Sequence, residues 1–235
     1  MVEKHNYYEN RLYDSNNSKN AVKGNMPPYW KQPLKLLHWY IHLIKNPASA
    51  VRQIVAADNI KIPLILIAIN LISVLIASII CTITINIRYR LYFPWFHVPS
   101  ATIIISAMLL ALVFNFGFSG LLFVSTSIIS KEKAAFSKIL ALTGSKVVTD
   151  SLFLLAGSVF MLLGSLFFFL STAAGNIISF TMLITAYNEE TMLPADKKIY
   201  SFSCPLVLIF VIMIIILKAV SPLITGNSFW YTTLF

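Results

Sequence analysis

The stretch Ser151 to Tyr187, SLFLLAGSVFMLLGSLFFFLSTAAGNIISFTMLITAY, contains 37 consecutive residues without a charge. As one α-helix it would measure about 55 Å, whereas the hydrocarbon core of a bilayer is about 30 Å thick and is crossed by about 20 helical residues. That is too long for a single crossing. Leu170 to Asn176, LSTAAGN, gathers small and polar residues suited to a tight turn. The stretch therefore divides into two spans, about 152–170 and 173–187, and the choice between four and five spans rests on it.

The other apolar runs are less ambiguous. Ile62 to Ile87 gives 26 uncharged residues, with Pro63 where a missing amide is tolerated and Arg88 and Arg90 closing the run. Val98 to Ser130 gives 33, opened at Pro99, so this span must tilt or project beyond the bilayer. Between them, RYRLYFPWFHVPS carries Tyr89, Tyr92, Trp95 and Phe96, the aromatic belt of a headgroup region. KEKAAFSKILALTGSKVVTD, residues 131–150, interrupts the apolar pattern with Lys131, Glu132, Lys133, Lys138, Lys146 and Asp150, and reads as an inner, partly amphipathic connector. After the loop NEETMLPADKKIY comes the last span, 201–220, ended by Pro222.

The predicted class is an all-α polytopic membrane bundle. Its membrane domain, 61–224, holds five spans at about 62–87, 98–130, 152–170, 173–187 and 201–220, followed by a short outer tail, 225–235. Composition agrees with this class: 57% of the 235 residues are apolar, 11% are charged, and the mean hydropathy is +0.77.

Residues 1–27, rich in Asn, Lys, Tyr and Ser, read as a disordered cytoplasmic tail, and no cleaved signal is expected. Residues 28–60 mix Trp30, Trp39 and aliphatics with Lys31, Lys35, Lys45 and Arg52. Leu34, Leu37, Ile41 and Ile44 fall on one helical stripe. Asn46 and Pro47 then start a second short helix that turns Ala48, Val51, Ile54 and Val55 inward. The pair reads as an amphipathic elbow lying on the membrane, or equally as a helical hairpin packed on the inner ends of the spans. Trp30, Lys31, Lys35, Trp39, Lys45, Arg52 and, on the outer side, Trp95 are the candidate interface residues.

The chain carries 18 Lys plus Arg against 9 Asp plus Glu, a formal charge of +9. With the N-terminus cytoplasmic, nine of the basic residues lie in 1–61, four in 131–150 and two in 188–200, leaving Arg88, Arg90 and Lys218 outside. The positive-inside rule thus orients the chain with its N-terminus in the cytoplasm, in the cell membrane, and its C-terminus outside. A four-span arrangement would place 14 inside and 4 outside, so charge alone barely separates the two. The one-sided charge points to an anionic inner leaflet rather than to nucleic acid, since no basic region carries a groove-reading or base-stacking module. Lys131, Lys133, Lys138 and Lys146 form the candidate face for a membrane or cytoplasmic protein partner.

Catalytic signatures are absent from the sequence: there is no HExxH, GxSxG or Walker-type loop, and no cofactor is expected. Cys81 and Cys204 lie in apolar runs and make no disulfide framework. His38 and His42 could jointly face a metal, but two ligands do not make a site. Glu189 and Glu190 read as a solvated loop pair. No Asp, Glu, Arg or His falls within the five proposed spans, and Asn70, Asn115 and Asn176 read as interhelical hydrogen-bonding groups or a turn. Gly157, Gly164 and Ser171, seven residues apart, and Gly117 with Gly120, read as flat helix faces for packing within the protomer or in a homo-oligomer.

An approach containing LIKNPASAVRQIV, a GFSG in the second span, and ILALTGSKVV leading into a Ser/Gly-rich third resemble the Yip domain family over about residues 34–220. These are five-span proteins related to Rab-interacting trafficking factors, and the likeness is to small bacterial members of unassigned function. For eukaryotic members the resemblance implies GTPase binding at vesicle membranes. Unlike relatives fused to an N-terminal zinc ribbon, this chain has no CxxC before Cys81. Two functions are expected to compete: a non-enzymatic scaffold or adaptor acting through the basic face, and the permease subunit of an exporter that docks an ATPase.

Overall fold

The computed structural model describes Ile41, Lys45 and residues 47–56, 58–92, 99–130, 135–191 and 193–225. The tail 1–27, Trp30, Lys31, Lys35, Trp39, Trp95, Lys131, Lys133, the histidine pair and residues 226–235 lie outside them. Every element among the described residues is a helix: α1 (Pro47–Ala56), α2 (Lys61–Tyr92), α3 (Ser100–Ser130), α4 (Phe136–Phe160), α5 (Ser165–Glu190) and α6 (Ala195–Thr225). The last five are each long and apolar enough to cross a membrane, so the chain is a multi-pass integral membrane protein.

Five spans are present, but two of their boundaries differ from those expected. The expected connector 131–150 does not exist as a separate inner segment: from Phe136 onward it is the first part of α4, which runs unbroken to Phe160. Lys146 and Asp150 do not stop the helix, because they meet each other inside the bundle, and Lys138 is exposed in its first turn. The turn expected at 170–176 lies instead at Met161–Gly164, and LSTAAGN sits inside α5. At about 37 and 39 Å, α4 and α5 each match one crossing. The turn satisfies its own backbone: Leu162 N–H donates to Val159 O at 3.0 Å and Leu163 N–H to Phe160 O at 2.9 Å, while the Arg88 guanidinium donates to Leu162 O at 2.5 Å. With those groups paired, the exposed side chains of Leu162 and Leu163 are no obstacle to a turn at the membrane surface.

Small residues govern the α4–α5 hairpin. A Cβ placed on Gly175 would lie 2.3 Å from Phe153 Cβ, and one on Gly157 would lie 3.3 Å from both Phe168 O and Ser171 Cβ. Ser171 Oγ donates to Phe153 O at 2.9 Å, tying the hairpin together. The spacing of Gly157, Gly164 and Ser171 is therefore not a stripe on one helix. Gly157 and Ser171 face each other across the hairpin, and Gly164 lies at its bend. Gly117 does pack closely, 3.0 Å from Ile209 on α6 if given a Cβ, whereas Gly120 faces open space.

α4 is the central helix, packed on α1, α2, α3 and α5, while α6 lies along α3. Ten consecutive α4 residues, Ile139 to Val148, are buried, which a helix achieves only when it is surrounded on every side. Gly144 permits a close approach to α2: a Cβ there would stand 2.8 Å from Pro63 Cβ. Helix α1 closes one end. Its Ala50, Val51, Ile54 and Val55 are all buried, so its apolar face is turned into the protein and packs on α4 and α5. Asp58, at φ 44°, makes the corner into α2, and its carboxylate accepts the Ser137 hydroxyl of α4.

Candidate functional site

Lys146 and Asp150 lie near the middle of α4. Lys146 is ten residues, about 15 Å, from the start of the helix, too far for its side chain to snorkel to the headgroups. The expectation that Lys146 belongs to an exposed partner face fails: its side chain is 3% exposed. Four residues apart on one face, the two side chains form an ion pair. The Lys146 ammonium also lies 4.3 Å from the ring centroid of Phe180 and 5.2 Å from that of Phe114. A carboxylate and two π faces thus offset much of the cost of burying the ammonium.

A relay of neutral groups adjoins the pair. Asn115 Nδ2 on α3 donates to Asn70 Oδ1 on α2 at 3.1 Å, Asn70 Nδ2 donates to Ser151 Oγ on α4 at 3.0 Å, and Ser151 Oγ donates to Val147 O at 2.7 Å. Ser119 and Thr143 share a further buried hydrogen bond of 2.6 Å between α3 and α4. The expectation of interhelical hydrogen bonds for Asn70 and Asn115 holds, while Asn176 is exposed and donates to Thr172 O within its own helix at 2.9 Å. Nearer the α1 end, the Tyr187 hydroxyl joins Thr126 at 2.9 Å and Ser201 at 2.6 Å, linking α5 to α3 and α6.

The layer is almost completely paired. Among the described residues, Asp150 Oδ1 is the one buried side-chain nitrogen or oxygen without a hydrogen-bond partner. The Asp150 side chain is 21% exposed and that of Lys146 3%, while Asp150 Oδ1 is itself buried.

A second feature is the end of the bundle that carries α1. Arg52 Nε donates to Glu189 Oε2 at 2.8 Å, joining α1 to the end of α5. The hydrogen bond and charge of Glu189 raise the Arg52 pKa above its usual value. Glu189 is thus paired rather than a free loop acid. Lys198 Nζ donates to Asn188 O at 2.6 Å, and Lys45, Lys61, Lys138 and Lys197 are exposed. Of the expected interface and partner residues, Lys45, Arg52 and Lys138 therefore belong to this end, and Lys146 does not.

Sequence reasoning missed the intramembrane pair, and with it Gly144 and Gly175. One signal was available: a Lys and an Asp four residues apart, in an otherwise apolar segment without a helix breaker, can neutralise each other within a span. No group of three or more His, Cys, Asp or Glu side chains able to hold a metal is found among the described residues. No protein-family model, curated protein or solved structure matches the chain.

Proposed function

We propose that this integral membrane protein is a non-enzymatic adaptor of the Yip type, lying in the cell membrane with its α1 end in the cytoplasm and binding a protein partner or the anionic leaflet there. The observation that carries this reading is α1 itself. It is fixed to the ends of α4 and α5 by a buried apolar face and the Arg52–Glu189 pair, at an end that also presents Lys45, Lys61, Lys138 and Lys197. Each basic group near an anionic surface contributes about 1 kcal/mol, so a cluster on a fixed platform recruits more strongly than any single site. Span order and loop residues supply the Yip likeness.

The orientation is tested by cysteine labelling in intact cells: Leu162→Cys should react with an impermeant reagent and Pro194→Cys should not. The reverse pattern would invert the assignment. Affinity purification of the full chain from membranes should recover a partner that Lys138→Glu with Lys197→Glu loses, and no partner or lipid dependence would sink the adaptor reading. A second reading, the permease subunit of an exporter docking an ATPase, is favoured by the Lys146–Asp150 pair, because charged groups at mid-membrane mark substrate and ion paths. Solute movement in proteoliposomes containing the chain and an ATPase would select it.

A further inference from the structure

Helix α5 carries a stripe that is covered over one half of its length and bare over the other. Phe169, Asn176 and Leu183 recur every seven residues on one side of the helix, with Phe180 and Tyr187 beside them. Toward the α1 end this side packs into the bundle: Leu183 and Tyr187 are each 1% exposed, the Phe180 ring meets those of Phe114 and Phe118 on α3, and the Tyr187 hydroxyl bonds to α3 and α6. Toward the other end the same side is uncovered, with Phe169 64% exposed and Ala173 and Asn176 also exposed. Asn176 stands eleven residues, about 17 Å, from one end of α5 and fourteen, about 21 Å, from the other, so its amide lies at mid-membrane. One Nδ2 hydrogen goes to Thr172 O. Among the described residues, the second hydrogen and Oδ1 have no partner. Thr181 and Thr185, exposed on the same helix, donate their hydroxyl hydrogens to carbonyls four residues earlier and keep no donor free.

An amide left unpaired in hydrocarbon is costly, and within a span such a group is met by a neighbouring helix. The chemistry of the group selects the neighbour. A carboxamide with one free donor and one free acceptor is its own complement. Two copies related by a two-fold axis along the membrane normal bring Asn176 to Asn176 at the same depth, where they make two reciprocal hydrogen bonds. An unlike partner must happen to carry a polar group at that depth, whereas a second copy supplies it by symmetry. The stripe has no charge to repel its copy, and the small Ala173 beside the amide lets the two backbones approach. We propose that the chain forms a parallel homodimer in which α5 crosses the α5 of a second copy at Asn176. The two helices diverge toward the α1 end, where the protein's own α3 and α6 already cover the stripe. This interface stands apart from the recruitment end and does not depend on the adaptor reading.

The test uses the full chain, fluorescently labelled and reconstituted in liposomes, with self-association read by energy transfer as the protein-to-lipid ratio is varied. The unmodified chain should dimerise, and Asn176→Leu should weaken the association constant about tenfold through the loss of two interhelical hydrogen bonds. Within the protomer Asn176 bonds only to its own helix, so Asn176→Leu should keep the fold, checked by an unchanged thermal midpoint of the monomer in detergent. Oxidative cross-linking locates the contact in a chain whose Cys81 and Cys204 are replaced by alanine. There Ala173→Cys should link two copies, and Ile178→Cys, exposed on the opposite side of α5, should not. A chain that stays monomeric at every protein-to-lipid ratio overturns the proposal, as does a dimer that Asn176→Leu leaves unchanged or that cross-links at Ile178→Cys instead of Ala173→Cys. Recovery of a different membrane protein that Asn176→Leu loses, from a chain that does not self-associate, overturns it in favour of an unlike helix on the same stripe.

Discussion

Helices α4 and α6 both cross the membrane, yet their composition and placement run opposite to the habit of soluble proteins. α4 is the least apolar of the five spans and the most buried, with 61% of its spanning window enclosed, whereas α6 is among the most apolar and has 11% enclosed. In water the most apolar segment would take the centre. Lipid tails are as apolar as Leu, so burying Ile and Val side chains of α6 gains little, and Val207, Ile214 and Ile215 remain exposed. What cannot face lipid cheaply is the set Thr143, Ser145, Lys146 and Asp150, and these hold α4 inside. Polarity, not hydrophobicity, chooses the central helix here.

The comparison breaks most visibly at the ion pair. Lys146→Ala or Asp150→Ala should each lower stability by about 3–5 kcal/mol, since the surviving charge is left buried and unpaired. An equivalent truncation of lipid-facing Ile214 should cost far less. Equilibrium unfolding in mixed micelles measures both, and equal losses would mean that α4 and α6 are held by the same forces. The double variant Lys146→Met with Asp150→Leu should recover most of the loss, because its apolar side chains need no partner.

Close backbone approach should have the next largest effect. Gly175→Ala forces a methyl to within 2.3 Å of Phe153 Cβ and should cost about 1–3 kcal/mol, with Gly144→Ala against Pro63 similar. Gly120→Ala meets nothing within 4 Å and should be neutral or slightly stabilising, given alanine's better helix propensity. A smaller effect belongs to the relay. Asn70→Ala removes the acceptor of Asn115 and the donor to Ser151 and should cost about 1–2 kcal/mol, again by equilibrium unfolding.

Much of this architecture is legible in the sequence, and the parts that are not share a physical cause. The number of spans follows from run lengths, and the inward face of α1 from the spacing of Val51, Ile54 and Val55. The expected turn at Leu170–Asn176 fails because Ser171 and Gly175 are small for a different reason: they let α4 approach α5, and smallness does not distinguish a bend from a contact. The true turn, MLLG, has almost no turn chemistry, since its backbone bonds close within itself and onto Arg88. Lys146 and Asp150 suggest a connector because charge normally ends a span. Only tertiary packing supplies the rings of Phe114 and Phe180 that make the pair tolerable. Charge on a short segment thus reports polarity but not depth.

The smallest expected effect is at the surface, where the contrast between buried and exposed pairing can be sharpened. Arg52–Glu189 joins α1 to α5 at 2.8 Å, shorter than the Asn115–Asn70 and Asn70–Ser151 bonds of the relay, yet its side chains are 60% and 39% exposed. Water and salt compete for both, so Arg52→Ala should cost about 0.2–1 kcal/mol and the loss should fade at high salt. Ile54→Ala, two residues further along α1 at 1% exposure, should cost about 2–5 kcal/mol and be insensitive to salt. The Arg52 pKa is raised on folding, so its contribution is complete at neutral pH and is lost only as pH climbs through that raised value. Acid should therefore leave the arginine's side of the pair charged. Measuring both variants at two salt concentrations separates what positions α1 from what decorates it. If Arg52→Ala proves the more damaging, α1 is held by charge, and the basic end is better described as an electrostatic latch than as an apolar platform.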